Sequence, residues 1–176
     1  MLAWESDFLL WLQSIRAPWL DPVMVGITYL GEYGWFWIVS ILVFLKIKST
    51  KRTALYALLS VCIAFSICYV MKEAVGRIRP YETIEGLHAL VGKQSDYAFP
   101  SGHTCVAFAA GWIYYWNFPK KIGVPFLIIA GLIAFSRMYV GVHYPSDVFA
   151  SFLLATAVAA GVNQMKRKRE ETAGKS

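Results

Sequence analysis

TALYALLSVCIAFSICYVM, residues 53–71, decides the architecture: nineteen residues in a row without a charge. Wound as an α-helix they reach about 28 Å, enough to cross the hydrocarbon core of a bilayer. Working outward, residues 148–165 make a second run of eighteen uncharged positions. Two shorter runs, 104–119 and 122–136, hold sixteen and fifteen, with only Lys120 and Lys121 charged between them. Spans that short cross where their ends reach into the interface or the bilayer thins. Pro119 is placed to stop the first of them, and Pro125 to sit in the first turn of the next. Nearer the start, residues 20–47 read as one helix, or as two half-helices broken in the run Gly31-Glu32-Tyr33-Gly34. Residues 4–15 set Trp4, Phe8, Trp11, Leu12 and Ile15 at helical spacing, with Glu5, Asp7 and Gln13 elsewhere. That pattern describes an amphipathic helix lying in the membrane interface. The expected fold is an all-α integral membrane bundle of five transmembrane helices, six in the alternative count, behind that interfacial helix. Residues 1–165 form a single membrane domain and 166–176 a basic tail.

Composition agrees. Hydrophobic residues make up 57% of the 176 positions and charged residues 16%, where a soluble domain carries about 25% charged. Mean hydropathy is +0.49. A soluble domain, a disordered chain and a nucleic-acid binder are all excluded, because the apolar mass needs lipid to face. The three cysteines (Cys62, Cys68, Cys105) form neither a disulfide framework nor a metal-ligand spacing and read as small buried apolar residues. The N-terminus has no basic flank or small-residue cleavage site, so insertion is expected to rely on the internal spans.

The net charge of +6 is unevenly placed. Lys46, Lys48, Lys51 and Arg52 share one side with Lys120, Lys121 and the tail run Lys166-Arg167-Lys168-Arg169. By the positive-inside rule that side is cytoplasmic. Divided this way, eleven cations and two anions lie inside, and six cations and nine anions outside. The basic tail is expected to anchor on the inner leaflet.

The outer side collects the reactive side chains. Lys72, Arg77 and Arg79 close the span quoted above, and Pro100-Ser101-Gly102-His103 opens the next. Ser136 and Arg137 end another, and His143 and Asp147 open the last. Cations converging without equivalent acids call for an anion, and Arg forks with a Lys point charge suit phosphate oxygens. A helix starting at Gly102 would add free amides and the positive end of its dipole, with Ser101 as a hydroxyl donor. Pro145 suits a first helical position, so Asp147 can reach back in the manner of a capping box. A carboxylate that accepts a hydrogen bond from one His143 nitrogen fixes the tautomer and leaves the other nitrogen as a nucleophile. Arg77 reads either as a phosphate contact or as a span anchor. Glu32, charged within an apolar span, is a candidate functional residue or sits near the outer interface.

Lys72 with Arg79-Pro80 after six intervening residues, Pro100-Ser101-Gly102-His103, and Ser136-Arg137 followed by His143 and Asp147 supply eleven specified positions in order. This set resembles the type 2 phosphatidic acid phosphatase superfamily, which also contains vanadium haloperoxidases, and the apolar spans fit its membrane branch. The resemblance implies that His143 attacks phosphorus to form a phosphohistidine, that Asp147 orients it, and that His103 protonates the leaving oxygen and later activates water. It implies that Lys72, Arg79, Ser101, Gly102 and Arg137 hold the phosphate oxygens. No metal and no cofactor are called for. The implied reaction is hydrolysis of a lipid-linked phosphate or diphosphate at the outer surface of the cell membrane, with undecaprenyl diphosphate first. Phosphatidylglycerol phosphate, phosphatidate and lipid A phosphate follow, and a non-enzymatic lipid-phosphate transporter or scaffold is the alternative of another class. The expected partners are the lipid phosphate and membrane lipids, not nucleic acid; the oligomeric state is left open.

Overall fold

The computed structural model describes residues 3–173, and every regular element among them is helical. In chain order these are α1 (Ala3–Ser14), α2 (Leu20–Leu30), a 3-10 turn (Glu32–Gly34), α3 (Trp35–Lys46), α4 (Lys51–Val75), α5 (Pro80–Thr83), α6 (Gly102–Asn117), α7 (Lys120–Tyr139) and α8 (Pro145–Ala173). α4, α7 and α8 are each long and apolar enough to cross a membrane. Taken together, α2 and α3 are also long and apolar enough for a pass, bent by 46° at the Glu32–Gly34 turn. The sixteen-residue α6 is shorter than these spans and lies inside the bundle, packed against α4, α7 and α8. Its Ala107, Ala109, Ala110 and Gly111 are buried, and small residues of this kind let helix backbones approach closely. Around them Trp37, Ile41, Ile113, Tyr114 and Ile133 fill the main core. Outward, Leu55, Leu58, Ile63, Phe65 and Val70 of α4 lie exposed, part of an apolar belt wider than water tolerates. The protein is an integral membrane bundle.

The break between α2 and α3 has a local cause. Tyr33 and Gly34 take positive φ values of 48° and 68°, a conformation no α-helix continues through. Beside it, a Cβ on Gly31 would lie 2.7 Å from His103 Cδ2 and 2.9 Å from Ile133 Cγ2. Glycine there lets the bent pass press against the start of α6.

Three expectations need correction. Pro125 is not in a first turn, because Pro119 ends α6 and α7 restarts at once from Lys120, which leaves Pro125 inside the helix. α1 buries Glu5, Leu9 and Leu12 against the protein and exposes Trp4 and Trp11, so Leu12 does not share the tryptophan stripe. Cys62 is exposed, and only Cys68 and Cys105 are buried. α8 also continues unbroken through Lys166 to Ala173, so no linker separates the basic tail from the bundle.

α6 and α7 meet most tightly where α7 begins. A Cβ on Gly123 would come within 2.7 Å of Tyr115 Cα and 2.9 Å of the Tyr114 carbonyl oxygen. Backbone atoms cannot swing aside as a side chain can. Gly123→Ala is therefore expected to cost about 1–3 kcal/mol by overpacking. The expected readout is a lower melting temperature in detergent, and an unchanged one would show that the hairpin opens freely.

Candidate active site

The end of α4, the starts of α6 and α8 and the end of α7 converge at one end of the bundle. Lys72 lies in the last turn of α4, where a cation complements the helix dipole. Arg79 precedes α5, held extended by Pro80 at the first helical position. Ser101 caps α6, its hydroxyl oxygen accepting from the Thr104 hydroxyl at 3.0 Å. The Ser101 proton thus stays available to donate. A side chain on Gly102 would point toward Lys72 Cε, so the glycine keeps the space before the lysine open.

The eight residues expected to form the site are all brought together. Arg79 Nη1 donates to His143 Nε2 at 2.9 Å and to the Val142 carbonyl at 2.9 Å. A guanidinium only donates, so Nε2 accepts, and the neutral ring carries its proton on Nδ1. That nitrogen faces Asp147 Oδ2 at 3.5 Å, a separation that must tighten to become a hydrogen bond, as catalytic contacts commonly do on binding. Burial, then the charges of Arg79, Arg137, Lys72 and His103, push the His143 pKa well below its ordinary value. The ring is neutral at neutral pH, with Nε2 directed at the cations.

Asp147 is fixed from two sides. Its Oδ2 accepts the Tyr144 amide at 2.8 Å, the reach-back of a first-turn carboxylate. Its Oδ1 accepts from Arg77 Nη1 at 2.6 Å. Arg77 is thereby committed: it also bonds Ser146 Oγ at 2.7 Å and Glu5 Oε2 at 2.8 Å, and lies over the Tyr144 ring at 3.8 Å. Neither a phosphate contact nor a span anchor describes it. Glu5, on α1, bonds the Ser146 amide and hydroxyl as well.

Arg137 is 1% exposed. Its Nη1 donates to Thr28 Oγ1 at 2.8 Å and its Nη2 to Gln94 Oε1 at 3.2 Å, while Nε has no partner. No carboxylate among the described residues pairs with it. A buried guanidinium held only by neutral oxygens is costly unless an anion joins it.

His103 Nε2 is buried without a hydrogen-bond partner, and Glu32 Oε2 stands 3.6 Å away. The bend in the first pass thus delivers Glu32 to the site. Asp96 was not foreseen. Its Oδ2 lies 2.9 Å from Lys72 Nζ and its Oδ1 2.5 Å from Arg79 Nη2. Burial alone would raise its pKa, but Lys72 and Arg79 outweigh that and hold it below the ordinary carboxylate value. Thr28, Gln94 and Glu5 were likewise unmarked by any spacing. Among the described residues no three histidine, cysteine or acidic groups cluster as a metal site.

The sequence pattern of the PAP2 superfamily matches residues 53–171. The chain belongs to the PAP2 superfamily. It is 31% identical over 141 residues to an undecaprenyl-diphosphatase of Sulfolobus acidocaldarius, covering 80% of this chain and 68% of that one. It is 32% identical over 158 residues to a lipid A 1-phosphatase of Rhizobium etli, covering 75% and 68%. The crystal structure of a transmembrane PAP2-type phosphatidylglycerolphosphate phosphatase from Bacillus subtilis superposes with a TM-score of 0.80 at 29% identity, over 93% of this chain and 85% of that one. The chain is thus a membrane-embedded lipid phosphatase of the PAP2 superfamily.

Proposed function

We propose that this PAP2 phosphatase hydrolyses a lipid-linked phosphate at the outer membrane surface through a phosphohistidine, with undecaprenyl diphosphate as its substrate. The observation that carries the reading is Arg137, buried and without an anionic partner, beside a histidine whose unprotonated Nε2 points at the same cations. In the first step the Nε2 lone pair of His143 attacks phosphorus, the bond to the leaving oxygen breaks, and that oxygen takes a proton from His103. In the second, His103 takes a proton from water, the hydroxide attacks phosphorus, and the N–P electron pair returns to His143. Lys72, Arg79 and Arg137, with the Ser101 hydroxyl and the Gly102 amide, stabilise the charge on the transferring group. Asp147 keeps the His143 proton on Nδ1 throughout. These donors are all supplied by the chain, so the reaction is assigned no metal.

Sidedness rests on the cations. The end opposite the site carries Lys46, Lys48, Lys51, Arg52, Lys120 and Lys121 and the tail, which the positive-inside rule assigns to the cytoplasm. The catalytic end then faces outward, where a lipid carrier presents its phosphate.

Purified protein is expected to release phosphate from undecaprenyl diphosphate at the same rate with and without EDTA. In a side-by-side panel with phosphatidylglycerol phosphate, phosphatidate and lipid A, undecaprenyl diphosphate is expected to give the highest kcat/KM. A higher value for another lipid would reassign the substrate. Binding of all four with no release would instead make the protein a carrier or scaffold.

A further inference from the structure

Two of the three cations assigned to phosphate, Lys72 and Arg79, already share an anion. Asp96 spans them, one carboxylate oxygen on each, at 2.9 Å and 2.5 Å. The backbone beside it reinforces the contact: the Asp96 carbonyl accepts from Arg79 Nε at 3.0 Å, and the Tyr97 carbonyl accepts from Lys72 Nζ. Of the five guanidinium N–H groups of Arg79, four are engaged, by the Asp96 carbonyl, the Asp96 carboxylate, the Val142 carbonyl and His143 Nε2. A phosphate therefore cannot take a two-pronged hold on Arg79 unless the Asp96 carboxylate gives way. Exposure says which partner moves. The Asp96 side chain is 50% exposed, against 8% for Lys72 and 4% for Arg79. The carboxylate can turn into water, whereas the cations are locked in the bundle.

Carboxylate and phosphate compete for the same donors, but they differ in charge. A terminal phosphate brings close to two negative charges, and a phosphodiester headgroup brings one, no more than the aspartate. We infer that Asp96 is a specificity-determining residue: its carboxylate stands in for phosphate on Lys72 and Arg79, yields to a terminal phosphate, and holds against the phosphodiester headgroups of the surrounding bilayer. The inference rests on the reading that Lys72 and Arg79 bind phosphate. Apparent affinity for every anion is then lowered by the fraction of time the carboxylate is away. Return of the carboxylate also helps expel the product.

The test compares wild type with Asp96→Asn in mixed detergent–lipid micelles. The expected result is inhibition constants for vanadate and inorganic phosphate about tenfold lower in the variant, by the same competition. Phosphatidylglycerol, a phosphodiester, is expected to become a competitive inhibitor of Asp96→Asn while leaving wild type almost unaffected. Equal or weaker vanadate inhibition in Asp96→Asn overturns the inference, since the aspartate would then only position the cations. Lys72→Ala separates the two levels. If Lys72→Ala leaves vanadate inhibition unchanged, the phosphate-binding reading itself fails. If Lys72→Ala weakens it and Asp96→Asn does not strengthen it, the Asp96 inference alone fails. Melting in detergent with and without vanadate, on Asp96→Asn and Asp96→Ser, reads the same affinity without turnover: a larger vanadate-induced shift than in wild type supports the inference, and an equal or smaller one overturns it.

Discussion

His143→Ala is expected to lower kcat for lipid-phosphate release by at least about 10,000-fold, the scale on which a covalent catalyst responds to loss of its nucleophile. The expectation follows from how the ring is held. Arg79 donates to Nε2 and Asp147 faces Nδ1, so a single tautomer presents a lone pair to the cation cluster. Burial and the surrounding cations keep the ring neutral. The acid limb of the pH profile should therefore not come from His143, because protonation of a group whose pKa is lowered begins only well into acid. His103→Ala should differ in kind. A substrate with an aryl leaving group needs no proton, so its first step survives, while the water-activating second step is lost. Phosphoenzyme should then accumulate, with a label stable in alkali and lost in acid. Turnover persisting in His143→Ala, or absence of trapped label in His103→Ala with such a substrate, would sink the covalent route.

The charge-free run at residues 53–71 and the order of the motifs were legible because both are statements about residue class and spacing. A helix needs only length and apolarity to cross lipid, and the capping geometry of Pro145 and Asp147 is local to one turn. What was hidden depended on partners distant in the chain. Glu5 sits outside the tryptophan stripe of α1 and so looked solvated, yet it is buried because Arg77 and Ser146 meet it there. Arg77 lies two residues from Arg79 and shares its type, and only the fold sends one guanidinium to Asp147 and the other to His143. Asp96 lies in an irregular connection with no periodicity to interpret. Glu32 was recognisable as an anomaly in an apolar span, but its approach to His103 needed the bend at Tyr33 and Gly34.

Arg77→Ala is expected to strike stability and turnover together while sparing phosphate affinity. The Glu5 and Asp147 side chains are 1% and 0% exposed, and both lose the guanidinium they share. Breaking a buried ion pair by removing one partner costs about 3–5 kcal/mol, because the remaining charge is left in a poor environment. A protein in detergent should melt markedly lower. Asp147 would also lose the contact that fixes Oδ1, and with it the alignment of Oδ2 on His143 Nδ1, so kcat should fall. Since the guanidinium is spent on carboxylates, KM and the inhibition constant of vanadate should stay near the wild-type values. Lysine offers a point charge instead of a planar fork and cannot reach Asp147, Glu5 and Ser146 at once, so Arg77→Lys should recover only part of the loss. Glu5→Gln placed in the Arg77→Ala background should restore some stability, because one of the two orphaned charges is gone, and the pair should depart from additivity in a double-mutant cycle. The opposite pattern, a raised KM and weaker vanadate binding with kcat and melting temperature intact, would return Arg77 to the phosphate site and remove the link from α1 to Asp147.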